Sequence, residues 1–367
     1  MRTACRLVPT LTVLLGTTGL AAEDWPQWRG PTGDNHAAPG ATAPLEWSEE
    51  SGLAWKTAIP GRGNSSPTIV GDRIYLTTGD EAAGTQSLLI LDRASGELRK
   101  EVLTHEGGLP EGVHGKNSHA NSTVASDGER VFAMFLNDEA PILTAYDLAG
   151  EQLWQERVCG PARIHFEYGF GSSPRIVDGL VVVAVEYQKE GSGIYAFHAA
   201  SGKLAWQTPR PEQYSYSSPA VAPIGGKNLL LMCGNDSLTA YEAKSGQELW
   251  AREGPTMATV GTMVWDTKLG LAFASGGHPK QFTLAVGLGG DHDIVWQNNA
   301  KCYEQSLLVA DGHLYAVTDP GVAYCWRGSD GQEMWKKRLG GNFSSSPLLV
   351  DNKVYVTSEA GDMYVYE

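Results

Sequence analysis

The stretch "LTAYEAKSGQELW" (residues 238–250) carries the pattern that decides the fold of this chain. Apolar and polar residues alternate up to Glu242, a Ser-Gly pair follows, and a second short run ends at Trp250. Alternation of this kind is typical of a half-buried β-strand, and Ser-Gly is typical of a tight turn. The stretch therefore predicts two antiparallel strands joined by a turn.

The same hairpin recurs along the chain, as "LLILDRASGELRK" (88–100), "LTAYDLAGEQLW" (143–154) and "IYAFHAASGKLAW" (194–206). A large Trp ring on an outer strand can wedge between neighbouring sheets while its N–H reaches a backbone acceptor. In the first copy Lys100 takes the place of the Trp, so we expect a weaker joint there. The expected wedge residues are Trp55, Trp154, Trp206, Trp250, Trp296 and Trp335.

A segment of small residues introduces each repeat unit, and seven such segments are present. Each leads into an aliphatic or β-branched run and then into the hairpin, which gives four short strands per unit and no helical period. Units of this kind predict an all-β fold, a seven-bladed β-propeller of four-stranded antiparallel blades. The seven segments are "NSSPTIV" (64–70), "ANSTVAS" (120–126), "GSSPRIV" (171–177), "YSSPAVA" (216–222), "GTMVWD" (261–266), "QSLLVADGH" (305–313) and "SSSPLLV" (344–350).

The chain ends at Glu367 after only three strands of the seventh unit. Near the other end, "SGLAWKTAI" (residues 51–59) has the turn and Trp of an outer strand without three strands before it. We expect this N-terminal strand to be the fourth strand of the seventh blade, because closing the ring leaves no free sheet edge. The alternative is a truncated chain or an open eight-blade array with a missing partner.

The N-terminus predicts export. Residues 1–22 combine basic Arg2 and Arg6 with a short apolar run and small residues, as in a secretory signal peptide. We expect an N-terminal arm at 23–50 and the propeller domain at 51–367, in the periplasm or secreted. Removing the two arginines from 28 basic residues leaves 26 against 42 acidic ones, a net charge of −16. This charge disfavours nucleic acid and anionic membrane surfaces as partners, and we expect no stable membrane insertion.

The cysteines announce no metal or redox site. Cys159, Cys233, Cys302 and Cys325 are widely spaced, without a C-x-x-C pair. Three disulfide pairings are possible in an exported chain, and buried free thiols are the alternative.

The repeat resembles the quinoprotein-like (PQQ-repeat) β-propellers, in which an alanine-tyrosine-acid strand precedes a Ser/Thr-Gly turn and an outer-strand Trp. The acid position is held by Asp92, Asp147 and Glu242, with His198 in the third copy. A carboxylate there can accept the N–H groups of the turn, which explains its recurrence without any chemistry.

The segment "DWPQWRGPTGDN" (24–35) resembles the start of a secreted subgroup that opens with a W-P-x-aromatic-R-G-P arm. We expect this arm to act as a clasp. Trp25 and Trp28 would pack on the propeller, and Arg29 would bond to carbonyls or a carboxylate.

The resemblance also implies a possible cofactor. Quinoprotein alcohol dehydrogenases of this kind have eight blades and hold pyrroloquinoline quinone (PQQ) between a Trp face and a disulfide of adjacent cysteines, beside a calcium ion. This sequence has seven units, no adjacent cysteines and no dense group of oxygen ligands for calcium. We therefore expect neither PQQ with calcium nor any other metal.

Loops that enter the inner strands converge at one mouth of a propeller, and three of them are rich in polar residues here. Such side chains could bind a polar ligand, or they could satisfy exposed loop carbonyls and amides. The candidate mouth residues are Arg62, Asn64, His119, Asn121, His165, Glu167, Tyr168 and Glu304.

From these observations we expect an exported, noncatalytic and monomeric propeller that binds or scaffolds a protein partner, with no catalytic residues. The alternatives are a quinoprotein-type oxidoreductase and a polar small-ligand, sugar-like binder that uses the channel mouth. A fold of this kind hosts many roles, so analogy does not choose among them.

Overall fold

The computed structural model describes residues 23–160, 169–186, 191–212 and 214–367, and these contain strands and turns without a helix. No segment among them is a helix long and apolar enough to cross a bilayer. The strands form seven separate antiparallel sheets in chain order, as the repeat predicts. The expected all-β propeller with seven blades is therefore confirmed, and we number the blades 1 to 7 along the chain.

Each of blades 1 to 6 is a four-stranded meander in which consecutive strands pair. Blade 1 comprises β1 (Thr68–Val70), β2 (Arg73–Asp80), β3 (Thr85–Asp92) and β4 (Leu98–Glu106); blade 2 comprises β5 (Ala125–Ser126), β6 (Arg130–Asn137), β7 (Ala140–Asp147) and β8 (Gln152–Arg157); blade 3 comprises β9 (Arg175–Val177), β10 (Leu180–Val185), β11 (Gly193–His198) and β12 (Leu204–Pro209).

The later blades follow the same order, but the last has three strands instead of four. Blade 4 comprises β13 (Ala220–Ile224), β14 (Lys227–Gly234), β15 (Ser237–Glu242) and β16 (Glu248–Glu253); blade 5 comprises β17 (Val264–Asp266), β18 (Leu271–Gly276), β19 (Phe282–Gly287) and β20 (Ile294–Asn298); blade 6 comprises β21 (Leu308–Ala310), β22 (His313–Val317), β23 (Val322–Arg327) and β24 (Glu333–Arg338); blade 7 comprises β25 (Leu348–Val350), β26 (Lys353–Thr357) and β27 (Met363–Tyr366).

The hydrophobic core lies between blades rather than inside any one of them. Six clusters of buried side chains join blades 1 and 2, 2 and 3, 3 and 4, 4 and 5, 5 and 6, and 6 and 7. A seventh cluster joins blade 1 to Trp55. Each blade therefore buries its two faces only because a neighbour covers them, as in other repeat folds.

The small-residue segments join neighbouring blades around the channel. In five joints, a backbone N–H in one segment donates to the Ser or Thr hydroxyl at the same repeat position of the next blade, at 2.9–3.0 Å. These bonds satisfy backbone groups that no β-ladder reaches, which explains why small hydroxyl residues recur there. The pairs are Ser66 with Thr123, Thr123 with Ser173, Ser173 with Ser218, Thr262 with Ser306, and Ser306 with Ser346.

The outer-strand tryptophans join the blades at the periphery. Trp154 Nε1 donates to Ala199 O at 3.0 Å and Trp206 Nε1 donates to Ala243 O at 3.1 Å, each in the turn before the outer strand of the next blade. A β-bulge directly before the Trp breaks the register in every outer strand of blades 2 to 6. Bulges re-aim side chains, so the ring turns towards the next blade.

Lys100 replaces the wedge at the joint of blades 1 and 2. Its Nζ donates to Ala149 O at 3.2 Å and to Glu151 Oε1 at 2.6 Å, in the turn that a Trp would contact. Lys100 therefore provides the polar contact with the turn of blade 2 but not the aromatic packing that a Trp would add.

Residues 53–58 have the environment of an outer strand without its ladder. Their alternation of exposed and half-buried side chains matches that of β8 and β12. Trp55 Nε1 donates to Arg93 O at 3.1 Å and Thr57 Oγ1 to Gly96 O at 2.6 Å. Blade 7 nevertheless ends at β27, and no strand pairing joins these residues to it. Closure of the ring by this strand is not confirmed and stays a prediction.

The N-terminal arm bonds to the innermost strands of the blades or to residues directly beside them. Trp25 pairs with Ile69 of blade 1, Pro26 O accepts the N–H of Ser126 in blade 2, and Asn35 O accepts the N–H of Leu349 in blade 7. The bonds of Trp28 and His36 reach Thr262 Oγ1 in blade 5 and Val309 O in blade 6.

Two buried arginines hold the arm in place. Arg29 donates to the carbonyls of Gly33, Asp34 and Leu307, which are the carbonyl contacts expected of it. Arg175 of blade 3 donates to Trp28 O at 3.1 Å and Thr32 O at 3.2 Å. The arm is thus bonded to six blades at once.

A substitution at Gly202 tests directly whether the Trp154 ring packs as a wedge against blade 3. Gly202 adopts φ +70°, and a Cβ there would lie 2.8 Å from Cδ2 of Trp154. Gly179 in the same blade adopts φ +77° with open space around it. We expect Gly179→Ala to cost about 1 kcal/mol of unfolding free energy from backbone strain. Gly202→Ala should cost a further 1–3 kcal/mol, roughly, from the collision. Equal losses in urea denaturation would contradict the wedge.

Trp55 tests the seam between blades 7 and 1. If residues 53–58 act as an outer strand, Trp55→Ala should cost about as much unfolding free energy as Trp206→Ala, roughly 3 kcal/mol. Trp47→Ala, at a ring that is 40% exposed, should stay within about 0.5 kcal/mol of the parent. A Trp55→Ala loss no larger than that of Trp47→Ala would argue for an open ring.

Candidate functional site

The entry loops bring part of the predicted mouth cluster together. Asn64 Nδ2 donates to Lys116 O and to Asn121 Oδ1, both at 3.2 Å. Arg62 donates to the carbonyl of Gly115 in the same loop. The loops of blades 1 and 2 are therefore joined through side chains that the sequence marked as candidate ligand groups.

Asn121 is the centre of this arrangement. Its amide donates to Ser118 O at 2.9 Å and to Phe170 O at 3.1 Å, which connects blades 2 and 3. Its Oδ1 accepts the hydroxyl of Ser118 at 2.7 Å as well as the amide of Asn64. These contacts use most of the hydrogen-bonding capacity of the side chain.

His119 is enclosed rather than presented to the channel. Its side chain is 6% exposed, and its Nε2 lies 3.7 Å from Glu81 Oε1. Burial lowers the pKa of His119, and the Glu81 carboxylate opposes that shift. The cavity between His119, Asn121 and Phe170 measures about 10 Å³, which is room for about one water molecule. A small organic ligand does not fit there.

Glu304 belongs to a charged group that forms around Lys116, in the same entry loop as Asn121. Lys116 Nζ donates to Glu359 Oε1 at 2.9 Å, and this bond raises the pKa of the ammonium, with Glu304 and Asp319 adding to the effect. Lys301 Nζ lies 3.1 Å from Asp319 Oδ2. Side chains of blades 2, 6 and 7 thus meet in an exposed network of charges.

The remaining mouth candidates, His165, Glu167 and Tyr168, lie outside the described residues. The sequence reasoning also missed two features. It did not assign a role to the hydroxyls of the seven entry segments, although their recurrence was visible. It also had no signal for the pairing of Lys116 with Glu359, because that contact joins positions 243 residues apart.

The wedge candidates are placed at blade joints. Trp296 donates to Gly328 O at 2.7 Å, Trp250 stacks on His292 with centroids 4.8 Å apart, and Trp335 packs edge-on against Tyr366. With Trp55, Trp154 and Trp206, all six therefore contact a neighbouring blade or its turn.

The described cysteines are free thiols rather than the disulfide on which the quinone stacks in the dehydrogenases that the repeat resembles. Cys159, Cys233, Cys302 and Cys325 are free thiols, and burial raises the pKa of Cys233 and Cys302 to about 12. Within the described ranges, no group of three His, Cys, Asp or Glu side chains could hold a metal ion. We derive no chemistry through such a group.

Asn121 tests whether the mouth cluster is structural. Asn121→Ala removes the bonds that join blades 1, 2 and 3 and leaves buried carbonyls without donors, so it should cost about 1–3 kcal/mol of unfolding free energy. Lys116→Ala, at an exposed ammonium, should change stability by less than about 0.5 kcal/mol. Denaturation curves of the two variants make the comparison, and an unchanged stability of Asn121→Ala would indicate a side chain kept for ligand.

Comparison with solved structures shows the same fold. BamB from Moraxella catarrhalis superposes with a TM-score of 0.59 at 14% identity, over 84% of each chain. A quinohemoprotein alcohol dehydrogenase from Comamonas testosteroni gives 0.61 at 14% identity, over 80% of this chain and 62% of that one. A europium-containing methanol dehydrogenase gives 0.61 at 11% identity, over 93% and 89%. At these identities the likeness establishes the fold alone.

The family comparison goes further. No curated protein matches the chain in sequence. A profile of PQQ-type repeats, described as outer membrane protein assembly factor BamB, matches residues 44–161, 84–278 and 288–367. Because these matches span well over half of the sequence, the chain belongs to the PQQ-repeat propeller family described as outer membrane protein assembly factor BamB.

Proposed function

We propose that this protein is an exported, noncatalytic scaffold that binds a protein partner in the cell envelope. The observation that carries the proposal is that the candidate mouth side chains make contacts within the fold itself. Arg62, Asn64 and Asn121 hold loops together, and His119 is buried beside a cavity for one water. Groups already committed to the fold are poorly placed to bind substrate or transfer protons.

The family supports the same function. Its description names an assembly factor of outer membrane proteins, and the fold agrees with BamB along 84% of both chains. Residues 1–22, as a cleaved signal peptide, would bring the chain to the envelope where such a partner is found. The acidic composition adds to this reading, since it disfavours nucleic acid and anionic lipid as alternatives.

The periphery of the propeller offers a surface for the partner. In blades 2, 4, 5 and 6, the aliphatic or Met side chain of the bulge residue directly before the Trp is between 43% and 51% exposed, and in blade 3 the residue before the bulge is 51% exposed. One such residue is ordinary on a protein surface, but its recurrence in five successive blades forms an apolar series that suits protein contact. We call these residues the rim series: Leu153, Leu204, Leu249, Val295 and Met334.

Site-specific photo-crosslinking in the native host tests the proposal. A photoreactive residue at Leu204, Leu249 or Met334 should give a shared covalent adduct with one envelope protein. The matched control is Asn352, an exposed residue in the turn between β25 and β26, where we expect no adduct. Replacing Leu153 and Val295 by Ser should reduce the adduct formed at the other positions.

Two results would contradict the proposed scaffold. Rim positions that give no more adduct than Asn352 would contradict a scaffold that uses this surface. Saturable one-to-one binding of PQQ with calcium in calorimetry, with alcohol oxidation, would replace the scaffold by the oxidoreductase alternative.

A further inference from the structure

A cavity of about 450 Å³ opens beside the N-terminal arm, over blade 4. The arm bonds described above join the other six blades and leave out blade 4. The arm forms one side of this cavity, and the inner strands of blades 3, 4 and 5 form the other. Its lining shares no residue with the candidate mouth residues or with the rim series, so the cavity is separate from the proposed scaffold surface.

One half of the lining is apolar and includes an aromatic ring. Trp265 of β17 is half-buried, and Val221 and Pro223 of β13 lie beside it along the wall. An indole edge with neighbouring aliphatic groups offers a surface on which the C–H face of a ring can pack.

The other half carries acceptors and donors. Asp34 of the arm accepts the hydroxyl of Thr32 through Oδ1 at 2.6 Å, while its Oδ2 makes only a loose contact of 3.8 Å with His36 Nδ1. The Asn228 amide donates to Asp178 Oδ1 at 2.9 Å, which leaves the Asn228 carbonyl oxygen as an acceptor.

Arg175 is a buried donor to the arm. The residue is 5% exposed, and its two terminal nitrogens are used by Trp28 O and Thr32 O. Its Nε is buried and finds no acceptor in the described part of the chain. Because this atom has almost no accessible surface, the role of Arg175 is to fix the arm as one wall of the cavity through Trp28 O and Thr32 O.

The charges around the cavity balance. Burial lowers the pKa of Arg29 to about 9 and that of Arg175 to about 10, and both therefore remain cationic at neutral pH. Asp34 and Asp178 carry the two opposing charges. A strongly anionic or cationic ligand would meet a like charge here, whereas a neutral ligand would not.

We propose that this cavity binds a neutral saccharide, with a sugar ring packed on Trp265 and hydroxyl groups bonded to Asp34 and Asn228. A hydroxyl both donates and accepts, so one ligand class satisfies the carboxylate and the amide. The volume falls within the range of small-molecule sites and accommodates one or two sugar rings.

Calorimetric titration of the purified protein with maltose, cellobiose and N,N′-diacetylchitobiose, each separately, tests the site. We expect saturable one-to-one binding of at least one disaccharide. Trp265→Ala should weaken it by about tenfold or more, and Trp265→Phe should retain most of it because the aromatic face persists. Trp47→Ala is the matched control and should bind like the parent. Asn228→Ala provides a second variant if Trp265→Ala does not fold.

The proposal is overturned if none of the disaccharides binds, or if Trp265→Ala and Asn228→Ala bind as tightly as the parent. Argininamide serves as the cationic probe, and binding of this probe alone would assign the cavity to a basic peptide group. Failure of the saccharide site would leave the rim crosslinks unchanged, so the two proposals are distinguishable.

Discussion

The joint between neighbouring blades is the interaction on which the rest of this structure depends. A four-stranded blade has two apolar faces and cannot bury either alone. Each blade is therefore stable only when the blades beside it cover those faces. Two kinds of contact build the joint: the hydroxyl of Ser173 or its equivalents near the channel, and the ring of Trp154 or its equivalents at the periphery. Between them lies the apolar cluster of each pair. The positions of the entry loops, the N-terminal arm and the rim series all depend on these joints.

The repeat in the sequence was sufficient to predict the blades, because each blade is made of residues close together in the chain. The hairpin pattern predicted β15 and β16 and placed Trp250 at the joint. Strand pairing at the seam between blades 7 and 1 was harder to predict, because it depends on residues at opposite ends of the chain. The Trp55 indole bonds to the turn of blade 1 as expected of a wedge residue, while closure of the ring through residues 53–58 and β27 stays a prediction.

The role of the mouth residues could not be predicted from the sequence, for a physical reason. Composition can identify polar loop residues, but it cannot say whether their groups face the channel or each other. The contacts of Asn121 with the entry loops, the burial of the His119 side chain and the ion pair of Lys116 with Glu359 all depend on three-dimensional proximity. The arm shows the same limit. The sequence predicted that Arg29 would bond to carbonyls, but it did not predict the cavity over blade 4, the one blade to which the described arm bonds do not reach.

The arm also sets an order on assembly. It is the first described segment to leave the ribosome, but its hydrogen-bond partners range from Ile69 in blade 1 to Leu349 in blade 7. Those partners share one channel only after the last blade has been made and the first and last blades have come together. Complete docking of the arm therefore requires the last blade as well as the first. A chain halted before blade 7 has the partners of Trp25 and Trp28 but lacks Leu349, so the end of its arm at Asn35 would stay unbound, which distinguishes it from the finished protein.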